Sequence, residues 1–147
     1  MTSQVRECSV ARTLDLIGAK WTMLVVRELH LGSHRFDQIV RHTGAPRDIL
    51  TDRLRKLEAN GLVERVQYED HPPRFEYHLT DLGRGLGPIL TMLREFGDRH
   101  LAGEDGPPLR VEHSCGHDYQ PVLTCRACGE AVRSADLTMH LDTAEAS

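Results

Sequence analysis

The chain has 147 residues, 39% hydrophobic and 27% charged, with a formal net charge of −4. That size suits one ordinary globular domain plus a small appendage, and excludes a collagen, a long disordered tail or a multidomain enzyme. The charge is uneven, +1 over residues 1–80 and −5 over residues 81–147, so a local basic patch in the first part is compatible with the acidic total.

Residues 1–7 contain no apolar secretory core, and the longest largely apolar stretch, Trp21 to Val26, is far short of the roughly 18–20 residues of a membrane span. A cytoplasmic protein without membrane contact is expected. After Cys8, Val10, Leu14 and Ile17 recur at the spacing of a short amphipathic helix, with Ser9 as N-cap and Gly18 as its end. Trp21 through Leu31 is apolar on most sides and predicts a buried second helix, with Arg27, Glu28 and His30 on its wetter side and Gly32 as its stop. A third helix spans about Phe36 to His42, and a fourth opens at Pro46, a residue tolerated at the first helical position.

In the fourth helix Leu50, Leu54 and Leu57 form one stripe, which puts Asp48, Thr51, Asp52, Arg55 and Lys56 on or near the opposite, functional face. Leu62 to Tyr68 and Arg74 to Leu79 have strand composition and predict a β-hairpin whose tip is residues 69–73. A long helix follows from about Thr80 to Leu101, with Leu82, Leu86, Ile89, Leu93 and Phe96 on one stripe that is wide enough to bury against a second subunit. Gly103 to Pro108 reads as a linker, and Thr143 to Ser147 as a frayed end.

This order of elements is that of an α+β winged helix-turn-helix, in which one helix enters the major groove and the hairpin reaches the backbone or minor groove. The expected division is a DNA-binding and dimerisation domain at 1–102, a linker at 103–110 and a small segment at 111–142.

The residues also resemble a known family, the HxlR-type winged-helix transcriptional regulators of bacteria. The match starts at Cys8 and continues through Arg12-Thr-Leu-Asp-Leu-Ile-Gly-Ala-Lys-Trp21, Arg27-Glu28-Leu29, Arg35-Phe36, Leu50-Thr51 with Arg53-Leu54, Gly61-Leu62-Val63, Tyr68 followed by Pro72-Pro73-Arg74, Glu76-Tyr77 and Gly83, covering roughly residues 8–101. The resemblance implies a homodimer held by the first and last helices on a near-palindromic operator, acting more often as a repressor than an activator. It also implies that Cys8 can sense quinones, aldehydes or oxidants. Its position before a helix start and close to Arg6 and Arg12 favours a thiolate, while a small buried residue in the dimer interface is the competing role.

On this reading Arg47, Thr51 and Arg55 lie along the groove-entering helix. There an arginine fork can pair with guanine and a threonine methyl can meet thymine. Asp52 can accept from cytosine N4 or simply pair with Lys56. Arg74 at the wing, with Arg53 or Lys56, is suited to phosphate contacts, which set register without reading sequence; Arg53 is equally suited to a structural role.

Beyond the linker, His113, Cys115, Cys125 and Cys128 repeat a ligand–ligand–Gly pattern expected of two knuckles facing one tetrahedral zinc ion, with His117 competing as the fourth ligand. A closed four-ligand site is structural, because catalysis needs an open position. A Cys125 to Cys128 disulfide or a second redox switch are the alternatives. The zinc deaminase signature is absent, since Thr124 precedes Cys125 and no H-x-E occurs, so no enzyme is expected. A regulator controlled by a small ligand, and a winged helix kept only for protein interactions, are the remaining readings.

Overall fold

The computed structural model describes residue 6 and residues 8–141, so the predicted frayed end lies outside the described residues. The elements run α1 (Ser9–Ile17), α2 (Thr22–His30), α3 (Phe36–Thr43), α4 (Arg47–Ala59), β1 (Val63–Asp70), β2 (Pro73–Leu79), α5 (Asp81–Arg84) and α6 (Gly87–His100). Contacts divide the chain into two compact units that part between Arg94 and Glu95, within α6. Among the described residues no helix is long and apolar enough to cross a membrane.

The first unit is built on one cluster in which Val25, Val26, Ile39, Leu50, Leu54 and Leu57 are almost fully enclosed. The expected leucine stripe of α4 is thus its inner face. Cys8, rather than Ser9, is the N-cap of α1, and Pro46 caps α4 from just outside it. The turn between α1 and α2 carries Trp21 in the left-handed region (φ 80°), a conformation costly for a large side chain unless its surroundings hold it. They do: Trp21 packs on the core, the Lys20 ammonium lies 4.8 Å from its ring centroid, and Arg53 Nε donates to the Lys20 carbonyl at 3.1 Å. The Gly-Ala-Lys-Trp element is therefore a tight corner clamped from α4, and Arg53 takes the structural role.

Two larger differences from the sequence expectation concern Glu28 and the long helix. Glu28 is not on the wet side of α2; it is 4% exposed. Arg27 Nε donates to its Oε1 at 2.8 Å, Ser33 Oγ donates to Oε2 at 3.2 Å, and His42 Nδ1 lies 3.1 Å from Oε2. These partners satisfy a carboxylate that could not otherwise leave water. The long helix is also broken, into α5 and α6, at Gly85 and Leu86. Pro88 has no N–H to bond the Arg84 carbonyl and its ring would collide with that group, so the helix stops and restarts with Pro88 in its first turn. In α5 the chain approaches the hairpin so closely that a Cβ on Gly83 would sit 1.9 Å from the Leu62 carbonyl oxygen, which is why the position is glycine.

The hairpin runs from Val63 opposite Leu79 to Asp70 opposite Pro73, with an irregularity between Gln67 and Glu69. Its strands extend further than expected and leave only His71 and Pro72 at the tip. Arg35 bridges to Glu76, and the Tyr77 N–H donates to the His34 carbonyl at 2.8 Å, which ties the start of α3 to the wing.

Candidate nucleic-acid interface

Burying Leu50, Leu54 and Leu57 turns the polar side of α4 outward, where Arg47, Thr51 and Arg55 follow at intervals of four along one stripe. Arg47 is engaged: its Nη1 donates to Asp37 Oδ1 at 2.9 Å and its guanidinium lies 4.9 Å from the Phe36 ring centroid. Thr51 Oγ1 donates back to the Arg47 carbonyl at 2.9 Å. Its hydroxyl hydrogen is used within the helix, and its methyl group and oxygen lone pairs are not engaged by that bond. Asp52 is held between Arg53 and Lys56, the latter at 3.3 Å, so its charge is largely answered within the helix. Arg55 is exposed and, among the described residues, makes no such ion pair.

On the wing, Arg74 stands directly across the strands from Glu69 and bonds to it, Nε to Oε2, at 3.1 Å. A cleft of about 530 Å³ lies between the start of α3 and the wing, lined by Arg35, Arg41, Arg74, Phe36, Tyr68 and Phe75 among others. Arg35 lies over the Tyr68 ring at 4.7 Å. Three arginines thus line one cleft where the sequence singled out only Arg74, with Asp37 also in its wall and Arg35 and Arg74 paired to Glu76 and Glu69. Arg35 and Arg41 sit more than thirty positions before Arg74, and the bridge of Arg35 to Glu76 with the neighbouring Tyr77 to His34 bond brings them to the wing.

Cys8 is exposed, at the N-cap of α1. The unbonded backbone N–H groups of Ala11 and Val10 face its sulfur, with smaller effects from Arg12 and Arg6, and they hold the thiol pKa below its ordinary value. In the second unit, His113 and Cys115 share one turn, and Cys125 and Cys128 another. The backbone N–H groups of Cys128 and Ala127, then the Cys128 thiol, likewise lower the Cys125 pKa. Among the described residues no three His, Cys, Asp or Glu side chains stand close enough together to hold a metal ion.

Comparison with known proteins agrees with this geometry. The profile of the HxlR-like helix-turn-helix family matches residues 16–105. An HTH-type transcriptional regulator of Mycobacterium tuberculosis (Rv3095) is 42% identical over 131 residues, spanning 88% of this chain and 83% of that protein. The crystal structure of PA1607, a transcription-factor candidate, is 33% identical with a TM-score of 0.81, over 97% of this chain and 100% of its own. The redox regulator HypR in its oxidized form is 38% identical with a TM-score of 0.56, over 63% of this chain and 97% of its own. Matched over most of its first unit and carrying the exposed helix and wing that go with the match, this chain belongs to the HxlR-like helix-turn-helix family, whose members are transcriptional regulators and not enzymes.

Proposed function

We propose that the chain is a sequence-specific DNA-binding repressor, acting in the cytoplasm as a homodimer on a near-palindromic operator and released by oxidants or electrophiles through Cys8. The observation that carries the DNA-binding reading is the Arg47–Thr51–Arg55 stripe, with Arg55 making no ion pair among the described residues and the arginine-lined cleft around Arg74 beside it. Arg55 is the residue that can give a full guanidinium fork to a guanine without first surrendering a partner. Arg47 would have to exchange Asp37, and the cleft arginines suit phosphates. Dimerisation is supported by the apolar side chains left exposed on α1 and α6. The redox element is supported by the exposed, acidified Cys8 thiol and by likeness to the redox regulator HypR.

The test is binding of the reduced protein to fluorescent DNA from its own upstream region, titrated with salt. Arg55→Ala is expected to weaken binding by about 10- to 100-fold and to relax preference at one base pair per half-site. Arg74→Ala should instead weaken all sequences alike and lower the salt slope by about one. Diamide should release the complex, dithiothreitol should restore it, and Cys8→Ser should ignore the oxidant while binding normally. Binding unchanged by Arg55→Ala would remove the proposed reading helix, and a Cys8→Ser protein still released by diamide would remove the switch.

A further inference from the structure

The second unit has almost nothing to hold it together by burial. Beyond Leu86 none of the described residues is buried, and Val122, Leu123, Leu137, Met139 and Leu141 all lie exposed. Yet residues 111–132 have a definite backbone, which repeats. The His113 N–H donates to the His117 carbonyl, and the Cys125 N–H to the Glu130 carbonyl, each at 2.9 Å. The Gly116 N–H donates to the His113 carbonyl at 2.9 Å, and the Gly129 N–H to the Cys125 carbonyl at 2.6 Å. Both glycines have positive φ, 85° and 75°. One step outward Glu112 bridges to Asp118, and Thr124 to Ala131. One step further the Tyr119 N–H donates to the Val111 carbonyl at 2.7 Å, and the Val132 N–H to the Leu123 carbonyl at 2.8 Å. The two segments are one hairpin turn built twice, with a single extra residue in the second.

The superposition of bonding patterns matches donors to donors. His113 takes the place of Cys125, Cys115 that of Cys128, and Gly116 that of Gly129. His117 takes the place of Glu130, which lies past the glycine and outside the donor pair. The correspondence extends to local contacts: the Cys115 N–H donates to His113 Nδ1 at 3.3 Å, as the Cys128 N–H faces the Cys125 sulfur. A left-handed glycine after the second donor turns the chain back and exposes N–H groups to the donor atoms, the arrangement a knuckle needs around thiolates.

We propose that the two turns, whose donors are not gathered into one cluster among the described residues, close on one structural zinc ion when it binds, held by His113, Cys115, Cys125 and Cys128, with His117 outside the coordination shell. Each turn supplies two donors and neither completes a tetrahedron, so the ion joins the halves and supplies the cohesion that burial does not. Three sulfurs and an imidazole, without a carboxylate, select a borderline-soft ion over magnesium or calcium. Four protein donors leave no open position, which makes the site structural.

The experiment uses the full-length chain, purified without chelator and dialysed. Elemental analysis is expected to give one zinc per chain. After replacement by Co2+, the absorption should show thiolate-to-cobalt charge transfer and the intense visible bands of tetrahedral cobalt. Cys125→Ser and His113→Ala should each lose or shift these bands, whereas His117→Ala should leave them unchanged. Because a cysteine variant can also fail to fold, zinc release from the native protein by a thiol-modifying mercurial is followed with a colorimetric chelator, and should be stoichiometric. Substoichiometric zinc, iron in its place, or bands that survive His113→Ala but not His117→Ala would each overturn the assignment.

Discussion

Replacing Leu93 and Phe96 together by glutamate is expected to yield a folded monomer that binds operator DNA roughly 10²-fold more weakly or worse, the avidity that coupling two half-sites provides. The two side chains lie one turn apart on α6 and are 54% and 60% exposed, and Leu101 beyond them is 75% exposed. On α1, Val10 and Leu14 are exposed as well. Two helices that each turn apolar side chains to solvent are poorly explained by the fold of one chain, and are what an isologous interface between two copies would cover. Since neither leucine nor phenylalanine contributes to the core cluster, their loss should leave the urea midpoint of the monomer nearly unchanged. Sedimentation equilibrium separates the outcomes: a wild-type dimer that becomes monomeric in the variant, with half-site binding preserved, supports the reading. A variant that stays dimeric, or a wild type that is monomeric at micromolar concentration, would sink it.

The parts legible in the sequence are those fixed by local periodicity. The leucine stripe of α4 tells which side faces in, and therefore which side stays exposed, because a helix repeats every 3.6 residues whatever surrounds it. The break between α5 and α6 is not legible in that periodicity, because the apolar run from Leu82 to Phe96 looks continuous and masks the signal of Pro88. What could not be read were charges whose partners are distant. Glu28 looks solvated by type, and its burial depends on Ser33 and His42, five and fourteen positions on. The arginine-lined cleft depends in the same way on the strand bridge between Arg35 and Glu76. For the second unit the sequence supplied four donors and an ambiguity between His113 and His117. The ligand–ligand–Gly repeat in the sequence already favours His113, and the repeated hydrogen bonds add that His113 and Cys125 hold equivalent backbone positions, as His117 and Glu130 do.

The buried carboxylate of Glu28 leads to the second large effect. Glu28→Ala is expected to destabilise the chain by about 2–3 kcal/mol, below the ~3–5 kcal/mol typical of breaking a fully buried pair. The reduction follows from the partners: the side chains of Arg27 and His42 are 35% and 47% exposed, so water can take over much of their solvation once the carboxylate has gone. Ser33, itself buried, is less easily reached by water, but it keeps His42 Nδ1 at 3.0 Å as a partner. Glu28→Gln keeps the shape and an acceptor for Ser33 while removing the charge, and should cost less than the alanine variant. Urea unfolding with an unchanged slope would isolate stability from compactness. The network joins the end of α2 to the end of α3, since Arg27 Nη2 also donates to the His42 carbonyl at 3.3 Å, and α3 in turn carries Asp37, the partner of Arg47 on the reading helix. Loosening it should therefore weaken DNA binding even at temperatures where the variant remains folded. A Glu28→Ala protein as stable as wild type would show that the carboxylate is solvated after all, and one destabilised but binding DNA normally would show that the staple does not set the pose of α3.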